Sequence, residues 1–219
     1  MNTEKLKDAE RRFLAQYPGG FSNPQMKEIA KKHRAEKMNT LAQESFSADM
    51  FDDPASIVAS MAKIVGQSSM ISVFEKPKFR DFSKIISDGE KVHMAHGLHE
   101  FLYGNQELGF TMMTQLLGSY QLAKWPLLTI CPLYYRPHEE AFIKPTTVKS
   151  AIAYFELEGL RYSPRPSFEF YIAYRGQLIR MKKLVDVSLQ SDNAAFSAFL
   201  MLTAAETNAA GLGEQDFFR

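Results

Sequence analysis

Ile57, Val58, Met61, Ile64 and Val65 fall at intervals of three and four residues. On a helix they line one face, whereas on a strand they would be split between both faces. The same interval returns in Val148, Ile152 and Phe155, and again in Tyr171, Tyr174, Leu178, Met181 and Val185. A second stripe in that last segment, Phe168, Ile172 and Ile179, makes it apolar on two sides, so it must touch two neighbours. Leu108, Met112, Leu116 and Leu117, joined by Phe110 and Met113, predict another buried helix from Gln106. The helices beginning near Gln106 and Ser167 are therefore expected at the centre.

Recurrent helical period sets the fold class: mainly α, a single multi-helix globular domain with at most a minor short β element. Residues 1–48 read as an N-terminal helical extension, 49–203 as the helical core and 204–219 as an acidic C-terminal tail. The ambiguous segment is SSMISVFEKP, 68–77, a short apolar run that fits a strand or an irregular connection. Start and stop signals divide the rest. Thr3 is positioned to cap a first helix that PGGF halts, and Ser22 or Asn23 with Pro24 opens a second running through MKEIAKKHRAEKMNTLAQESF. Asp53 with Pro54 opens a third, Asp88 and Gly89 mark a break, and Thr146 and Ser167 start later helices.

At 219 residues with 45% hydrophobic residues the chain can bury one sizeable core. Its formal charge of +1 argues against a general polyanion binder, which needs many unbalanced cations. That total conceals segments: residues 134–183 carry nine Lys/Arg against five Asp/Glu, and residues 186–219 carry one against five. A single cysteine, Cys131, excludes an intramolecular disulfide and any multi-cysteine zinc site, which points to the cytoplasm. The charged start MNTEKLKDAERRF lacks the apolar core of a signal peptide, and the longest apolar run, 122–135, is too short and too interrupted to span a bilayer. No membrane partner is expected.

Three clusters could carry chemistry. His93, His96 and Glu100 share one side of a helical wheel and are ordinary metal ligands. They lie nearly opposite the apolar residues Met94, Leu98, Phe101 and Leu102, so a solvated face explains them and neither metal nor cofactor is implied. The stretch CPLYYRPHEEAFIKPTT, 131–147, gathers Tyr134, Tyr135, Arg136, His138, Glu139 and Glu140 among three prolines. Prolines at 132, 137 and 145 favour a rigid extended crossing that cannot complete a helix. Glu139 and Glu140 would then point to opposite sides. Finally, the block 134–183 holds six of the nine tyrosines, with Arg161 and Arg165 flanking Tyr162.

No phosphate-binding glycine loop, nucleophile elbow or metalloprotease signature occurs. The leading expectation is a non-enzymatic cytoplasmic binding protein whose basic and aromatic surface, built from Arg136, Lys144, Arg161, Arg165, Tyr135 and Tyr162, meets an anionic ligand or nucleic acid. Two alternatives stay open. One is an enzyme with an acid–base or metal-assisted site near 131–147, its catalytic residues unassigned; the other is a helical scaffold that forms homo-oligomers.

Overall fold

The computed structural model describes residues 1–208, with side chains through Ala204. Eleven α-helices and no strand occur among them: α1 Thr3–Gln16, α2 Pro24–His33, α3 Ala35–Ser45, α4 Pro54–Gln67, α5 Glu75–Ile85, α6 Asp88–Tyr103, α7 Gln106–Ser119, α8 Trp125–Tyr135, α9 Pro145–Tyr154, α10 Phe168–Leu184 and α11 Asn193–Asn208. Residues 68–77 form a turn and the first residues of α5, not a strand. Of the acidic tail, residues 204–208 end α11, and 209–219 lie outside the described residues.

Local signals set most of the boundaries. Asn23, Asp53, Asn105 and Ser167 each accept a backbone N–H in the first turn of the following helix, and Ser87 and Glu90 form a reciprocal capping box. Two expected caps are displaced: Asn2 rather than Thr3 caps α1, and Lys144 precedes α9, which starts at Pro145 before Thr146. The helix expected to run unbroken from Pro24 instead breaks at Arg34, which takes a left-handed conformation with φ 53°. That reversal lets Met26 on α2 and Met38 on α3 both reach the core.

The helix that the proline pattern argued against is the most enclosed element. Nine of the eleven residues of α8 are buried, Pro132 among them. Pro132 removes the N–H that would bond the carbonyl of Leu128, a loss of about 3 kcal/mol in an open helix. Burial of Leu127, Leu128, Ile130, Cys131 and Leu133 on every side outweighs it, since each apolar side chain contributes about 1.5–3 kcal/mol. Four residues on, the Arg136 N–H closes the helix by donating to Pro132 C=O at 2.9 Å. The centre is therefore α8, not α7 and α10: Leu108 of α7 is 45% exposed. The doubly apolar α10 does bury Tyr171, Tyr174, Leu178 and Met181 together, as its spacing predicts.

Around α8 pack α3, α4 and α7, while α11 joins α1, α9 and α10 on the other side. Residues 1–48 contribute Leu6, Phe13, Met38 and Phe46 to the same buried cluster as the rest of the chain. The tightest contact is the α6–α7 hairpin. A Cβ on Gly109 would lie 2.2 Å from the Phe101 nitrogen and 2.4 Å from the Gly97 oxygen, so only glycine lets the two backbones meet. This crossing fixes Tyr103, at the end of α6, and Gln106, at the start of α7, next to each other.

Candidate functional site

An open recess of about 370 Å³ lies where the α6–α7 turn, the end of α8 and the middle of α10 meet. Tyr103, Gly104, Gln106, Arg136, Glu139, Glu140 and Arg175 form most of its lining. Its floor is a polar knot in a largely apolar interior. Arg175 Nη1 donates to Glu140 Oε2 at 2.6 Å, Tyr171 O–H donates to the same oxygen at 2.6 Å, and Gln106 Nε2 donates to Oε1 at 2.9 Å. Tyr171 also accepts from the Ala141 N–H at 3.2 Å. With three donors on its two oxygens, Glu140 is a satisfied buried carboxylate.

Burial holds the Tyr171 hydroxyl well above its ordinary range, and the facing Glu140 charge pushes it further, so it remains a donor. For Arg175, burial opposes the charge, but the Glu140 carboxylate more than offsets this and its pKa rises. The segment after α8 is locked from a second direction. Asn193, at the start of α11, donates its backbone N–H to Pro137 C=O at 2.8 Å and its side-chain N–H to Glu140 C=O at 2.9 Å. Lys182 donates to the Asn193 side-chain oxygen at 2.6 Å.

Above this floor stands an aromatic clamp. The Arg136 guanidinium lies 5.7 Å from the Tyr103 ring centroid and 5.8 Å from that of Tyr135. Tyr103 O–H donates to Phe46 C=O at 2.7 Å, so the short contact between the two phenols is completed by Tyr135 O–H donating to the Tyr103 oxygen. Burial, then the Tyr135 hydrogen bond, raise the Tyr103 pKa. Arg136 has no carboxylate within ion-pair distance among the described residues. The recess thus presents one unpaired cation held between two rings, with Glu139 exposed on its rim.

Of the six candidate residues, Arg136 and Tyr135 meet here. Lys144 lies at the start of α9, half-buried beside His33, and burial lowers its pKa. Arg161 and Arg165 are exposed in the linker beyond the other end of α9. Tyr162 packs on Phe170 and lies 5.1 Å below the Lys149 ammonium. Missing from the sequence reading were Tyr103, Gln106 and Arg175, which come from three separate helices; only Arg175, a charge on a helix apolar on two sides, left a trace in the pattern.

The other clusters resolve into packing. His96 is exposed and 3.5 Å from Glu100, whose other oxygen accepts the Asn105 N–H at 2.8 Å. His93 is half-buried, less exposed than its wheel position suggests, and His99 packs edge-on against Phe51. No group of three or more His, Cys, Asp or Glu residues is gathered to hold a metal among the described residues. Cys131 is fully enclosed, and burial pushes its thiol far above the reactive range. No described helix is long and apolar enough to cross a membrane.

Fold and site together define an all-α protein with an arginine–tyrosine surface recess over a buried ion pair. Compared with known proteins, the chain matches no protein-family model, no curated protein and no solved structure.

Proposed function

We propose that this chain is a non-enzymatic interaction protein that receives an anionic group of a partner at Arg136. The observation that carries the reading is the Arg136 guanidinium, unpaired among the described residues and steadied by Tyr103 and Tyr135 at the mouth of an open polar recess. Arginine forks match carboxylate and phosphate oxygens, and Arg and Tyr are the residue types that dominate binding energy at interfaces. A shallow recess favours an extended partner over an enclosed small substrate. Glu140 supports binding rather than catalysis, because its three hydrogen bonds leave it no free role as a general base. The cytoplasm suits the lone buried thiol.

Fluorescence anisotropy tests this with a labelled acidic peptide and a labelled single-stranded oligonucleotide, each titrated at rising salt. Affinity for one of them is expected to fall with salt, because an exposed charge pair is screened, and to fall about tenfold in Arg136→Ala. Equal binding by wild type and variant, or no binding of either probe at low salt, removes the reading.

A further inference from the structure

A second recess, of about 490 Å³, runs between α4 and α5, away from the Arg136 site. Its floor is Ala55, Ala59, Ala62 and Gly66, one face of α4 over about 16 Å of helix. Its walls carry Lys63 from α4 and Arg80 and Lys84 from α5, with Ser83 and Gln67 between, and no acidic side chain lines it among the described residues. Arg80 has a surface pair with its neighbour Asp81 at 3.1 Å; Lys63 and Lys84 have no ion pair among the described residues. An added Cβ on Gly66 meets nothing within 4 Å, so the recess is open at that end.

We propose that this groove docks an amphipathic acidic helix of a partner protein. The charge pattern selects the occupant: cations on both walls and none of their counter-charges in the lining call for carboxylates on both flanks of the guest. Between those flanks the apolar floor calls for a non-polar stripe, and the low profile of alanine and glycine admits a helix axis at the close end of the usual 8–10 Å packing range. A helix bearing leucine on one face and glutamate along both edges satisfies all three requirements.

The test uses a labelled synthetic peptide of about four helical turns with leucine at the a and d positions and glutamate beside them, together with a scrambled peptide of the same composition. Saturable binding at low salt is expected, weakened about tenfold by Ala59→Trp, by Gly66→Leu and by the Lys63→Glu, Lys84→Glu double change, and by scrambling. Both groove-filling side chains project into the open groove, so these variants should keep the wild-type circular dichroism and a cooperative melt, with Gly66→Leu melting no lower than wild type. Arg136→Ala should leave this binding unchanged, which separates the groove from the site proposed above. Equal binding by the filled variants or by the scrambled peptide overturns the proposal, as does absence of saturable binding. Binding of anionic vesicles that the filled variants retain, without peptide binding, overturns it in favour of a lipid surface.

Discussion

Glu140 and Arg175, 35 residues apart in sequence, meet at 2.6 Å beneath the recess. Glu140 is 2% exposed and the Arg175 side chain 21%. The pair ties the segment after α8 to α10 and so sets the depth of the site. Pairs of this kind contribute little net stability, yet removing one partner leaves the other charge without compensation.

Arg175→Met is therefore expected to destabilise the fold by about 3 kcal/mol, read from urea denaturation. The double variant Glu140→Gln, Arg175→Met should recover part of that loss, because no uncompensated carboxylate remains. A single variant as stable as wild type would show that water reaches Glu140 freely.

Two glycines should respond oppositely to alanine. Gly109→Ala forces a Cβ into the backbone of α6 and should cost about 3 kcal/mol, since backbone cannot move aside as a flexible side chain can. Gly66→Ala meets open space and should stabilise by about 0.5 kcal/mol through the unfolded chain. Thermal melts of the two variants decide both.

Glu139 sits on the rim of the recess, exposed and without a hydrogen-bonded side chain among the described residues. Its negative charge opposes an incoming anion, so Glu139→Gln should tighten binding of the acidic probe by about two- to fivefold at low salt and by less at high salt. Anisotropy titrations at two salt concentrations measure this; weaker binding by the variant would mean that Glu139 itself holds the partner.

His33 has a pKa lowered from 6.5, first by burial and then by the nearby Lys144 ammonium. Its folded value lies below its unfolded one, so the unfolded state binds the proton first. Stability is full above pH 6.5 and declines as pH falls from there through the folded value, then stops changing on this account. His33→Gln should flatten the pH dependence of the urea midpoint in that window; any shift at pH 8 reports its lost contacts, the 2.6 Å hydrogen bond to Ser69 among them.

Helical stripes were legible where one face is buried, as along α4 and along the Tyr171–Met181 face of α10, whose second stripe, Phe168, Ile172 and Ile179, is only half-buried. The pattern misled at α8, because an element buried all round has no periodicity to read and its internal proline then dominated the local signal. Arg34 carried no turn signature, since its left-handed backbone answers to where Met26 and Met38 must point rather than to its own side chain. At the site, Arg136 and Tyr135 were visible as a cluster because they are adjacent in sequence. Tyr103, Gln106 and Arg175 were not, for their convergence depends on the Gly97–Gly109 crossing and the tilt of α10, which only tertiary packing specifies.

Asn193 holds the Glu140 carbonyl from 53 residues further along the chain, and its backbone also holds Pro137. Proteins are made from the N-terminus, and helices can begin to pack as they leave the ribosome. During synthesis, then, α6, α7 and α8 are all exported before the residue that fastens the loop beside the recess. A chain stalled or cut ahead of Asn193 would carry Arg136 and both clamp tyrosines, but without this tether. On the reading proposed above, partner capture is linked to translation past Asn193, and chains cut ahead of it should compete poorly with those that carry it.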